Sequence, residues 1–238
     1  MFKRKKEEVF NANISGISIE ISRKRIKNLY VRVHRTTGKV RVSCPLHISD
    51  FELKEFIRSR LNWIMIQKDK AASRKPIIEL DYLTGDKVFF EGKEFSLEVK
   101  PSLGKSKVEM KDDSLILYVR GVSTKKKRKV LMDSWYRKKL KQQISRLIKK
   151  YEQRMGVEVI EFRVKKMKTR WGTCNIKKKR IWLNLELAKK PTGCLEMVVV
   201  HEMVHLLERL HNKRFYNFMD EFMPEWKVFN QELNSSVD

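Results

Sequence analysis

Cysteine is scarce in this 238-residue chain: there are three, Cys44, Cys174 and Cys194, and no CxxC pair. Three cysteines cannot complete a disulfide framework, which argues against a small secreted scaffold and fits a reducing compartment. Long apolar runs are missing too. No stretch approaches the ~20 consecutive apolar residues that a membrane span needs. The opening residues, MFKRKKEEVF, are basic but include no apolar h-region, so no secretory signal is expected. These absences lead us to expect a cytoplasmic protein without a membrane partner. Acid is the other shortage, with 29 Asp and Glu against 54 Lys and Arg and a formal charge of +25. Such a field draws polyanions and anionic small molecules, but lysine-rich solvation of a surface produces it equally well.

The basic excess is uneven. Ser123 to Lys150 holds twelve Lys or Arg and one acid, Asp133. Phe162 to Leu185 holds nine and no acid, whereas Glu196 to Asp238 reverses the sign with eight acids against four. The run Lys125, Lys126, Lys127, Arg128 and Lys129 is therefore the candidate contact for nucleic acid or other anions.

With 41% hydrophobic residues the chain can build real cores. No internal repeat is evident. Residues 14–44 read as strands: ISIEIS alternates, and NLYVRVHRTTGKVRVSCP gives two alternating runs around a turn at Thr37-Gly38. Ser49 reads as the cap of one helix over 49–73, with Phe51, Ile57, Leu61 and Ile64 at helical spacing and Pro76 barring continuation. Short strands return over 87–119. A basic amphipathic helix is predicted over 125–154, with Val130, Leu131, Trp135, Leu140, Ile144, Leu147 and Tyr151 as its apolar members and Gly156 as its stop. Two strands, VIEFRVKKM and RIWLNLEL, flank a loop containing TRWGTCNIKKK. Pro191 then suits the first turn of a helix through CLEMVVVHEMVHLLERL, and Pro224 closes a further helix over NKRFYNFMDEFM. The expected class is α+β: a β-rich unit with one helix over 1–122, then a zincin-like domain over 123–238.

The chemistry concentrates at His201-Glu202-Met203-Val204-His205, an HExxH motif on a predicted helix. Residues four apart lie ~40° apart around the axis and about one turn apart along it, so both imidazoles can reach one ion. Glu202, offset by one, can face a water on the open side of that ion. The flanking Met197-Val198-Val199-Val200 and Leu206-Leu207 are apolar, so the helix is buried, and buried His and Glu need partners. The expected cofactor is one Zn2+ per chain, with Glu202 as the catalytic base. The third ligand is less plain. On an unbroken helix His211 would sit ~15 Å along the axis from His201, far beyond bonding range. Either the helix breaks, with no glycine between Leu206 and Leu210 to ease it and Asn212 available for a left-handed turn, or Asp220, Glu221 or Glu225 supplies the ligand.

Taken together, Arg170-Trp171-Gly172-Thr173-Cys174, Ile181-Trp182-Leu183-Asn184, VVVHEMVHL and His211-Asn212-Lys213-Arg214-Phe215 resemble the YgjP-like metallopeptidase family, related to the SprT and WLM groups of zincins. Thr173 stands where that family has Ser, Tyr216 where it has Trp, and Leu210 where Asn often precedes the third His. The resemblance extends into the first half through VRVHRTTGKVRVSCP and YLTGDKVFFEGKEFSLEV. It implies His201, His205 and His211 as zinc ligands and Glu202 as general base. It also implies that the strand through Ile181–Leu187 lies beside the active-site helix, and in zincins such an edge strand often pairs with an extended peptide substrate. Arg170, Trp171 and Asn184 are the candidate substrate contacts. Read from the residues alone, Arg170 is a candidate for steadying an oxyanion and Trp171 equally an anchor for a turn. Cys174 is expected to be a spectator thiol.

Three functions compete. A zinc peptidase acting on polypeptides follows most directly from HExxH. A metal-dependent nucleotide phosphohydrolase would use the basic surroundings for phosphates, although such sites usually employ carboxylates with Mg2+ or two metals. A nucleic-acid-associated protein, with structural zinc or with protease activity, would leave the Glu of the motif unused in its first form.

Overall fold

The computed structural model describes residues 7–34, 37–73 and 80–235. It is α+β and divides into two compact units, Met1–Ile78 and Glu79–Val237. The boundary expected near 122 is thus corrected, and the reason is packing. Val88, Phe90, Leu97, Leu115, Leu117 and Val119 share one apolar core with Met132, Trp135 and Tyr136 of the long helix that follows them. The Tyr136 hydroxyl also donates to Phe89 O (2.8 Å), and Gln143 bonds Glu91. The strands of 87–120 belong to the second unit because their inward side chains have no other core.

In the first unit, β1 (Glu8–Ile14) and β2 (Ile17–Lys24) form a hairpin, so the strands begin before residue 14, where the alternation first suggests them. Its two turn residues, Ser15 and Gly16, both have positive φ (51° and 79°), the backbone twist that two-residue hairpins favour. The Thr37-Gly38 turn joins β3 (Tyr30–Val33) to β4 (Val40–Pro45), and β4 runs parallel to β2, giving the order β1-β2-β4-β3. The expected single helix is two, α1 (Asp50–Ser59) and α2 (Leu61–Ala72), separated by Arg60 at φ −108°, ψ 1°. Ser49 caps α1 in a full capping box with Glu52. Leu53, Ile57 and Ile64 reach the core beside Ile19, Val42 and Cys44, whereas Phe51 stays exposed. Pro76 lies outside the described residues.

The second unit begins with the same plan. Strands β5 (Lys87–Phe90), β6 (Lys93–Ser102), β7 (Lys107–Lys111) and β8 (Ser114–Arg120) are ordered β5-β6-β8-β7, with a parallel central pair and antiparallel flanks. A capped helix follows each sheet, from Ser49 after β4 and from Thr124 after β8. The repeat is one of topology, unsignalled by residue identity. Helix α3 (Lys125–Met155) ends at Gly156, φ 65°, as expected. Its buried row is Met132, Tyr136, Leu140, Ile144, Ile148, Tyr151 and Met155, with Trp135 alongside, whereas Val130 is 62% exposed.

A three-stranded sheet comes next: β9 (Glu161–Lys165), β10 (Gly172–Asn175) and β11 (Arg180–Asn184), ordered β10-β11-β9. The strand expected to be an edge, β11, is central, and the presumed TRWGTCN loop supplies the edge strand β10. Pro191 sits one position before α4 (Thr192–Val204), and α5 (Lys213–Phe222) ends ahead of Pro224. The unforeseen α6 (Trp226–Ser235) packs on α4 where Gly193 leaves room, since a Cβ there would collide with the Phe229 ring. No helix among the described residues is long and apolar enough to cross a membrane.

Candidate metal centre

Helix α4 is apolar nearly all round: Cys194, Leu195, Met197 to Val200, Met203 and Val204 are buried. That burial holds its final turn rigidly, and the final turn carries His201 and Glu202. The helix stops at Val204, with His205 as its C-cap at φ −62°, ψ −17°. The break that His211 requires therefore exists, and it forms without glycine. Leu206 and Leu207 tighten onto the carbonyls of Met203 and Val204 (both 2.9 Å). The Glu208 carboxylate then accepts the Leu210 N–H (3.1 Å), and Asn212 N–H bonds Leu210 O (2.8 Å). Asn212 is extended (φ −94°, ψ −175°), not left-handed, and its side chain caps α5 by accepting from Phe215 N–H.

This turn brings His211 back to the HExxH pair. Its Nε2 lies 3.1 Å from His201 Nε2, and the three ring centroids are 4.7–5.0 Å apart. Phe215 forms a common floor, 4.6–4.9 Å from each imidazole. The Nδ1 of His205 faces Glu208 O at 3.2 Å, which directs Nε2 towards the other rings. Among the described residues these three histidines are the group that can share an ion, their ligand atoms lying within 4.8 Å of one another. Asp220 instead pairs with Lys227 and accepts the Trp226 indole N–H, so it does not join them, and Glu221 and Glu225 do not either.

The donor set fits zinc. Two nitrogens bound tetrahedrally at ~2.0–2.1 Å lie about 3.3 Å apart, close to the His201–His211 separation. The electrostatics agree. Burial, with His205 and His211 adding to it, lowers the pKa of His201 to about 4, and burial lowers His205 as well. Those two imidazoles are therefore neutral at physiological pH, the form that ligates. Burial raises Glu202 to about 8, opposed by the Arg170 guanidinium. Burial and the neighbouring Glu202 raise Cys174 to about 12, so it remains a thiol and does not compete as a thiolate ligand.

A pH dependence follows for the metal-free protein. With the folded pKa of Glu202 raised from 4.5 to about 8, its contribution to stability is full below 4.5 and is lost as pH rises through 8. Metal-free wild type should lose stability relative to Glu202→Gln over that window, by up to about 1.4 kcal/mol per pH unit. Paired thermal melts at pH 5 and pH 8 check this; a constant difference between the two proteins contradicts it.

Glu202 is 5% exposed and lies against β10: a Cβ on Gly172 would fall 2.5 Å from its Oε1. Gly172 is thus a site residue that the sequence reading treated only as part of a motif. Arg170 is exposed and within electrostatic reach of Glu202, and Trp171 packs against the main core. Asn184 differs from its expected role as a substrate contact. It is 5% exposed, its Nδ2 donates to Met167 O and Arg170 O (2.9 Å each), and its Oδ1 accepts from Met167 N and Glu186 N. With both amide hydrogens used, it braces the loop that presents Arg170. The basic run at the start of α3 is corrected in part as well. Arg128 is buried, bonded to Asp81 O and to Ser123 O and Oγ, and Lys125 pairs with Asp81 at 2.6 Å. Lys126 and Lys127 are exposed, and Lys129 is half-buried.

The family model for the YgjP-like metallopeptidase domain matches residues 27–236. No curated protein matches the chain. Two solved structures share a local likeness. The crystal structure of the metallopeptidase zymogen of Pyrococcus abyssi abylysin is 16% identical, over 40% of this chain and 94% of that one, with a TM-score of 0.37. That of Methanocaldococcus jannaschii jannalysin is 18% identical, over 40% and 97%, with a TM-score of 0.36. Likeness this partial supports no argument about the present chain.

Proposed function

This chain belongs to the YgjP-like metallopeptidase family, and from that premise we propose that it hydrolyses peptide bonds, with one zinc ion held by His201, His205 and His211 and with Glu202 as general base. The observation that carries the reading is the convergence of three imidazoles beside a buried carboxylate. When bound, zinc supplies a Lewis acid that polarises a carbonyl, acidifies water and favours the charged form of a nearby carboxylate. Glu202 takes a proton from the attacking water as the water oxygen bonds to the carbonyl carbon. It then gives that proton to the amine nitrogen as the C–N bond breaks; the remaining water proton passes to the amine from the new carboxylic acid, leaving a carboxylate and an ammonium group. The substrate adds as a strand along the open edge of β10, where Gly172 leaves room for Glu202 to lie against that strand. Arg170, on the loop braced by Asn184, steadies negative charge developing on the substrate carbonyl. A reducing, cytoplasmic setting suits the scattered cysteines.

The test offers the full-length protein casein, a peptide library and nucleoside triphosphates. Peptides should be cleaved, chelation should lower the rate at least about a hundredfold, and stoichiometric zinc should restore it. Cleavage of triphosphates with intact peptides would replace this reading by the phosphohydrolase.

A further inference from the structure

The exposed side of α3 carries a row of cations with nothing to neutralise it. Lys138, Lys141, Arg146 and Lys149 are exposed, and among the described residues none makes an ion pair. Gln142 and Ser145 lie between them, and Lys141, Gln142, Ser145, Arg146 and Lys149 line one shallow depression. At ~100° per residue all six fall within an arc of about 140°, and Lys138 to Lys149 spans about 16 Å along the axis. Several other cations of this helix are engaged at its ends and flanks: Lys125 pairs with Asp81, Lys150 with Glu196, and Lys139 lies over Trp135. Neither acid of α3 forms an ion pair with the row: Asp133 is on the opposite side, beside Lys166, and Glu152, half-buried one turn beyond Lys149, accepts the Val159 N–H at 2.8 Å.

Like charges three residues apart, as in Lys138 with Lys141 and Arg146 with Lys149, destabilise a helix by a few tenths of a kcal/mol per pair. The row therefore works slightly against the fold that carries it, and its use is sought outside. We propose that this face of α3 binds the phosphate backbone of nucleic acid, independently of the metal centre and without reading sequence. A helix face presenting cations about a turn apart suits regularly spaced phosphates, and Gln142 and Ser145 add uncharged hydrogen bonds. An anionic membrane is the poorer fit. Between Lys138 and Gln153 every exposed residue is polar, and the apolar side of α3 is buried in the core, so nothing remains to insert among lipids. The binding surface is thus the middle of α3, displaced from the Lys125–Lys129 run.

Fluorescence anisotropy of the full chain with a labelled DNA duplex and a labelled single-stranded RNA, from 50 to 200 mM KCl, tests this. The quadruple variant Lys138→Gln, Lys141→Gln, Arg146→Gln, Lys149→Gln should flatten the slope of log K against log salt by about 3.6 on the duplex, roughly 0.9 for each of the four lost contacts. Its melting temperature should equal or slightly exceed that of wild type, and its peptide cleavage should match wild type. A control variant, Lys54→Gln, Lys70→Gln, Lys93→Gln, Lys105→Gln, removes the same charge from exposed positions elsewhere and should leave the slope near that of wild type. Equal flattening by both variants would reduce the effect to bulk charge and overturn the proposal. Wild type that binds neither nucleic acid, or that binds phosphatidylserine vesicles more tightly than either, overturns it as well.

Discussion

Glu202→Gln leaves the zinc content unchanged and lowers peptide cleavage by about 10²- to 10⁴-fold, the range that loss of a general base produces. The substitution keeps volume and hydrogen-bonding shape in a place where little else fits, since Glu202 is 5% exposed and lies against the backbone of Gly172. It removes only the capacity to take up a proton. The three imidazoles converge without help from this carboxylate: His205 is oriented by Glu208 O, and His211 by the turn that Glu208 and Asn212 build. Elemental analysis alongside a kinetic assay separates the two functions. Zinc lost together with activity would make Glu202 a structural or ligating group; activity retained would remove it from the chemistry.

The second large effect falls on His211. His211→Ala should weaken zinc binding by more than about a hundredfold, since loss of even an outer-shell partner typically weakens binding 10- to 100-fold. Glu208→Ala tests the cause of the geometry. It leaves every ligand in place but removes the carboxylate that accepts the Leu210 N–H, so the turn is held less firmly. It should weaken zinc binding by about 10-fold, and Glu208→Gln, which keeps an acceptor oxygen, should restore most of that. Competition with a chromophoric chelator measures all three variants. A His211→Ala protein with wild-type zinc affinity would return the third position to another group.

Why the sequence showed some of this and not the rest can be argued residue by residue. His201 and His205 were legible because one-turn spacing is a property of any helix, and α4 was legible as buried from its apolar run. Ser49 and Gly156 were legible because their chemistry is local: a hydroxyl that accepts from N–H groups, and a residue that tolerates positive φ. The stop after Val204 was not, because it uses neither glycine nor proline. It depends on a carboxylate, Glu208, reaching a backbone N–H two residues on, and on Asn212 starting the next helix. The Arg60 interruption was hidden for a similar reason. Strand β10 looks like loop in sequence because four residues, Gly172–Asn175, are too few to alternate visibly, and they become a strand only through pairing with β11. The unit boundary was misplaced because Phe90, Leu97 and Leu117 declare themselves apolar in sequence but not which helix they will meet.

The most direct test is a crystal of the zinc-loaded protein measured on both sides of the zinc absorption edge. One anomalous peak should lie among His201, His205 and His211, within about 2.0–2.1 Å of a nitrogen of each. A peak at any other set of residues, or no peak among those rings in zinc-replete protein, would contradict the assignment of this centre.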